Sequence, residues 1–139
     1  MSGWIGVDLD GTLAEYGGWK GPTHIGAPVP AMLERVNKWV QEGHEVRIFT
    51  ARVSGPAEDA AEARKHIQDW LLEHVGVVLP ITNVKDYGMV ELWDDRAIQV
   101  APNTGRRADG LAEESLAMAC PELEVRRLRI LRRTDHSEG

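Results

Sequence analysis

The chain has almost no means of covalent cross-linking. A single cysteine, Cys120, among 139 residues cannot close a disulfide within the sequence, so stability must come from a packed core. The sequence also lacks an apolar run near the roughly 20 residues that cross a bilayer, and its start lacks a charged-then-apolar export pattern. These two absences lead to the expectation of a soluble, cytoplasmic protein with no membrane partner. Nor is there an excess of basic charge. The net charge of -6, from 22 acidic and 16 basic residues, argues against general polyanion binding, and an acidic cluster neutralised by a bound cation would leave the same balance. No internal repeat or low-complexity tract is evident. A chain of this length can bury one core and has little room for a second, so a single domain over residues 1–120 is expected, followed by a separate tail at 121–139.

Strand and helix patterns alternate along the body of the chain. Trp4 to Asp8 reads as an apolar strand, followed by a polar, glycine-rich excursion to Gly26 that includes Tyr16, Trp19 and Lys20 and forms a loop or small hairpin. Residues Pro28 to Gln41 place Leu33, Val36, Trp39 and Val40 on one helical face, with Gly43 as terminator. Glu45 to Thr50 reads as a strand. Pro56 to His74 is a helix, with Ala60, Ala63, Ile67, Trp70 and Leu71 at helical spacing. Short apolar runs at Val77–Ile81, Val90–Trp93 and Ala97–Val100 follow, and a last helix is expected over 108–119. Strands separated by helices predict an α/β fold with a central, mostly parallel sheet and helices on both faces, a three-layer sandwich. In the tail, Arg126, Arg127, Arg129, Arg132 and Arg133 alternate with Val125, Leu128, Ile130 and Leu131. This segment reads as an edge strand or a solvated tail, with a phosphate or partner patch as the other reading.

Ligands of open parallel sheets bind outside the carboxyl ends of the strands. Asp8 and Asp10, Thr50, Lys85, and Asp94 and Asp95 should all project from that edge. Each has an ordinary structural alternative: a turn cap for the acids, a helix cap for Thr50, a surface role for Lys85. Two acid pairs, a hydroxyl and a lysine together on one edge point instead to chemistry on a bound anion. Arg52 and Arg96 lie beside them in sequence and are read chiefly as partners for these acids, while Asn83 and Asp86 flank Lys85 and read either as groups that orient it or, at least as well, as an ordinary turn.

The segments Asp8-Leu9-Asp10-Gly11-Thr12-Leu13, Ile48-Phe49-Thr50-Ala51-Arg52, Lys85 and Leu92-Trp93-Asp94-Asp95-Arg96 resemble, in order, the four motifs of the haloacid dehalogenase superfamily of phosphatases, over residues 3 to about 103. The resemblance implies a Rossmann-like sheet and magnesium-dependent phosphoryl transfer through an aspartyl phosphate. Asp8 would be the nucleophile and a metal ligand. Asp10 would give the metal its backbone carbonyl and keep its side chain for proton transfer, and the Asp94/Asp95 pair would complete the site, with Asp95 favoured as the direct ligand. A phosphate dianion repels a carboxylate, so a cation bridging the two is required for attack, and Mg2+ suits oxygen ligands. Thr50 would donate a hydroxyl to the phosphoryl group and Lys85 would supply a fixed positive charge; the backbone near Leu9 and Asp10, with Ala51 and Arg52, would complete phosphate binding. Receiver domains of response regulators use similar residue types in a different order, with the phosphorylated aspartate after the acid pair, and the order here disfavours them.

Both intervals in which members of that superfamily insert a cap are short, so the chain looks like a capless member with a short flap over residues 14–27. Trp19 and Lys20, with Tyr16 and His24 nearby, are the flap residues placed to meet a leaving group; His24 reads as a turn residue. A phosphorylated small molecule or nucleotide is the favoured partner, with phosphorylated nucleic-acid ends second and an oligomer partner as a means of closing the open site. A third reading is a regulatory protein that keeps the metal and phosphate site without turnover.

Overall fold

The computed structural model describes residues 3–111. The helix expected over 108–119, Cys120 and the arginine-rich segment lie outside them or nearly so. The chain divides into two compact units at Ala97 and Ile98.

The first unit carries four strands and two helices: β1 (Trp4–Val7), α1 (Pro30–Gln41), β2 (Glu45–Phe49), α2 (Ala57–His74), β3 (Ile81–Thr82) and β4 (Met89–Trp93), with one 3-10 turn at Ala51–Val53. The sheet order is β3-β2-β1-β4 and every pairing is parallel. This is an α/β, Rossmann-like fold, with no cap domain among the described residues. β1 is central and buried along its whole length.

The elements form where sequence chemistry favours them. α1 begins with Pro30 in its first turn, where the missing N–H costs nothing. It ends at Gly43, whose φ of 83° allows the closing pair of bonds from Gly43 N–H to Val40 and from His44 N–H to Trp39. In α2 the first turn holds Glu58 and Asp59, which complement the helix dipole. Met32 and Val36 of α1 and Ala63, Ile67, Trp70 and Leu71 of α2 join Ile5, Val7, Val46, Ile48 and Ile81 in one core cluster. Two successive right-handed crossovers in the same direction put both helices on the same sheet face, so that face is the one bearing Ile5 and Val7. Among the described residues no helix covers the other face, where the sequence predicts a second helical layer.

Trp4 projects on the other face of β1. Its indole N–H donates to Asp86 at 2.8 Å, and the Arg47 guanidinium lies 4.5 Å above its ring. A side chain at Gly6 would meet Trp4, Leu92 and Met89 atoms at 3.1–3.2 Å, so glycine makes room for the indole there. Asp86 therefore serves Trp4 and the Gly88 amide rather than Lys85, and these bonds hold its carboxyl below the usual range.

Two apolar runs behave differently from the sequence expectation. Val77–Ile81 contributes only Ile81 to the sheet, as the first residue of the two-residue strand Ile81–Thr82, while Val77 and Val78 are exposed. Pro80 has no N–H for the ladder, although its carbonyl still accepts from Ile48 at 2.8 Å. Ala97–Val100 forms no strand. In the described part of the second unit, residues 98–111, Val100 bridges Arg107 across a local turn, closed by Ala101 N–H to Arg106 and Ala108 N–H to Gln99.

Candidate active site

At the carboxyl end of β1 the chain leaves the sheet and folds back on itself. Leu13 and Ala14 donate to the Leu9 carbonyl, and Gly11 donates to that of Ala14. Gly11 has φ 90°, and a side chain there would press on the Asp95 carboxyl, with Cγ at 2.8 Å. The position thus needs glycine twice over, for its backbone angle and for the approach of the loop after β4.

That approach builds an acidic cluster. Oxygens of Asp8, Asp94 and Asp95 all lie within 4.8 Å of one another. Thr12 ties the two loops together: its hydroxyl lies 3.3 Å from both Asp8 Oδ2 and Asp95 Oδ1, sharing its proton, and accepts the Asp95 N–H at 3.0 Å. Asp94 Oδ1 accepts the Arg96 N–H at 2.8 Å. Asp8 itself is held by its N–H to the Trp93 carbonyl at 2.9 Å. Burial, contact with the Asp95 carboxyl and the negative charge of Asp94 and Asp95 push the Asp8 carboxyl up to about 7, against a smaller opposing contribution from the Thr12 hydroxyl. Three converging carboxylates of this kind favour a cation, and the all-oxygen donor set fits a hard divalent ion such as Mg2+. The Asp10 carbonyl fits as a further donor, since it accepts no hydrogen bond among the described residues. Asp94 and Asp95 each offer an oxygen to the cluster.

The side chain of Asp10 turns away from this cluster. Arg52 grips it with two bonds, Nε to Oδ2 at 2.7 Å and Nη2 to Oδ1 at 2.8 Å. The same guanidinium donates to the His24 carbonyl at 2.9 Å and reaches that of Pro22 at 3.5 Å, and it lies 4.9 Å from the center of the Trp19 ring. Its side chain is only 5% exposed, against 20% for Asp10. One arginine therefore joins the second carboxylate of the first motif to the flap. The flap base is fixed separately, by Glu15 N–H to Ala27, Val29 N–H to Leu13, and the Trp70 indole N–H to Gly26 at 2.9 Å.

Thr50 is 2% exposed at the end of β2. Its hydroxyl accepts the Arg52 N–H at 3.2 Å, capping the 3-10 turn, and its own proton is available for donation. The N–H groups of Leu9, Asp10 and Ala51 donate to nothing among the described residues. They are the backbone donors expected for an anion at this edge. Lys85 is exposed on the β3–β4 connection and makes no ion pair or hydrogen bond there, so the structure does not bring its ammonium onto Asp8. Lys20 is likewise exposed and without such a contact, and His24 sits in a turn, its N–H to the Gly21 carbonyl at 3.4 Å.

Two features were not assigned from sequence. Thr12 as the tie between the loops is visible only once β4 lies beside β1. The Arg52–Asp10 pair joins residues 42 apart, and sequence offered several acids as partners for Arg52.

Beside Asp10 opens a cleft of about 410 Å³ lined by Asp10, Tyr16, Trp19, Arg52, Ser54 and Arg96, with Ala51 and Gly55.

No family model and no curated protein matches the chain. Among solved structures, a conserved protein from Bacteroides thetaiotaomicron is similar over 72% of this chain and 81% of its own, with a TM-score of 0.48 and 24% identity. A likeness of that degree carries no argument about activity.

Proposed function

We propose that the chain is a Mg2+-dependent phosphomonoesterase of the haloacid dehalogenase type, working through a phosphorylated Asp8. The observation that supports this most is the division of labour between neighbouring acids. Asp8 meets Asp94 and Asp95 within 4.8 Å, while Asp10, two residues on, is turned aside and clamped by Arg52.

Asp8, Asp94, Asp95 and the Asp10 carbonyl would hold the ion. When bound, it would neutralise charge between the Asp8 carboxylate and an incoming phosphate dianion. The N–H groups of Leu9, Asp10 and Ala51 and the Thr50 hydroxyl would donate to the phosphoryl oxygens. Asp8 would attack phosphorus as the bond to the leaving oxygen breaks, and Asp10 would give that oxygen its proton. Asp10 would then take a proton from the water that attacks phosphorus, releasing inorganic phosphate and the Asp8 carboxylate. Each Asp10 oxygen keeps a lone pair beyond its Arg52 contact, so the clamp orients the group without blocking exchange. Lys85 must swing inward from its exposed position to share the charge of the transferring group.

The test is Mg2+-dependent hydrolysis of a generic aryl phosphate. Asp8→Asn should abolish it while circular dichroism and chelator-treated melting show an intact fold. Absence of turnover across varied phosphoesters and divalent metals would overturn the enzyme reading and leave a metal- and phosphate-binding regulator.

A further inference from the structure

The cleft beside Asp10 has the makings of a leaving-group site, and its lining narrows what the leaving group is. Two large aromatic side chains stand exposed there, Tyr16 at 41% and Trp19 at 60%. Neither stacks on another ring among the described residues. What sets these two apart from the exposed apolar side chains elsewhere on the surface is that both line one polar cleft, the kind of lining that ligand sites use. The Arg52 guanidinium supports Trp19, 4.9 Å from its ring center. Arg52 is in turn held by Asp10 and the His24 carbonyl, so the indole is pre-positioned at little further entropic cost. The exposed Arg96 side chain also lines the cleft and makes no ion pair or hydrogen bond among the described residues.

We infer that this cleft recognises a planar heterocycle on the leaving group, so that the substrate class is a nucleoside monophosphate, its base against Trp19 and Tyr16 and its acceptor edge toward Arg96. This rests on the phosphatase reading and refines it. A few hundred cubic ångströms accommodates a nucleoside, and base–aromatic stacking contributes enough to be read in KM.

The experiment compares a nucleoside 5'-monophosphate with ribose 5-phosphate. The two share the same primary alkoxide leaving group and differ by the base, so leaving-group chemistry cancels. With Mg2+ and the full chain, KM for the nucleotide should be about tenfold lower, as one stacked base predicts. Trp19→Ala should bring the ratio toward one, Trp19→Phe should restore most of it, and Arg96→Gln should raise KM for the nucleotide with little change in kcat. Equal KM values for two substrates that are both hydrolysed would refute the ring site and spare the phosphatase. If neither is hydrolysed, equilibrium binding to the Asp8→Asn variant decides instead: a tenfold preference for the nucleotide upholds the ring site although the enzyme reading has failed, and no preference refutes both. A 5'-phosphorylated oligonucleotide preferred over the mononucleotide at matched low salt would also overturn the assignment, because it would place recognition beyond the one base that the cleft holds.

Discussion

Neutralising Asp8 should make the metal-free protein more stable, although it removes the residue on which the proposed reaction depends. The Asp8 carboxyl is pushed from 3.8 to about 7 by burial and by its acidic neighbours, so the folded state holds its proton more tightly than the unfolded chain does. Stability without a cation therefore falls as pH rises through that window and is lowest above it. Each tenfold step in proton affinity is about 1.4 kcal/mol. The full displacement bounds the penalty at about 4 kcal/mol, and water reaching a half-buried carboxyl reduces it to about 1–2 kcal/mol. Thermal melts in chelator at pH 8 should place Asp8→Asn about 3–8 °C above the parent, with the two curves converging near pH 4. Adding millimolar Mg2+ should raise the parent by mass action and leave the variant where it was. If Asp8→Asn melts at or below the parent at pH 8 in chelator, the three carboxylates do not repel one another as the geometry requires, and the cation site built on them fails too.

Other substitutions probe the supports of the site. Arg52→Ala strips Asp10 of both its bonds and releases the Pro22 and His24 carbonyls; it should cost about 2–3 kcal/mol in denaturant melts and open residues 14–27 to limited proteolysis, and Arg52→Lys should not rescue it because a point charge cannot replace the two-pronged grip. Gly26→Ala would drive a methyl group into the Glu15 backbone carbonyl and should destabilise by more than about 2 kcal/mol; a neutral result would show that the flap base is free to shift. Thr12→Val keeps the shape but removes the tie between the Asp8 and Asp95 loops, and should weaken Mg2+-dependent stabilisation by about tenfold in midpoint concentration. Titration of melting temperature with Mg2+ checks this, and an unchanged midpoint would refute it.

Much of the fold was legible because its signals are local. The buried run at Trp4–Val7 and the apolar faces of the helices at 30–41 and 57–74 repeat at the period of their own structure, and Pro30 and Gly43 mark one helix at both ends. The strand at 81–82 was misjudged in length because a run of valines and leucine resembles a strand whether or not it pairs, and Pro80 curtails the pairing. The acids of the candidate site were legible as strand-end residues, since the carboxyl edge of a parallel sheet gathers them without any knowledge of angles. What those acids touch was not. Whether Arg52 turns to Asp10, to Asp94 or to solvent depends on the path of the flap, and that Asp86 turns to Trp4 is visible only once the β3–β4 connection lies beside β1.

Arg52 makes its hydrogen bonds to the flap through the carbonyl oxygens of Pro22 and His24, and Trp19 is the flap side chain that its guanidinium faces. A grip on the backbone is indifferent to sequence. Tyr16 and Lys20, which give Arg52 no hydrogen bond, can therefore change identity over evolutionary time, altering what the cleft accepts, while Gly18, at φ 122°, and the carbonyls of Pro22 and His24 keep the chain path above Asp10 where it is. The same arrangement offers a route for redesign: the cleft and flap surface can be rewritten at Tyr16, Trp19 and Lys20 with the Arg52–Asp10 pair left in register, provided the spacing to positions 22 and 24 is preserved.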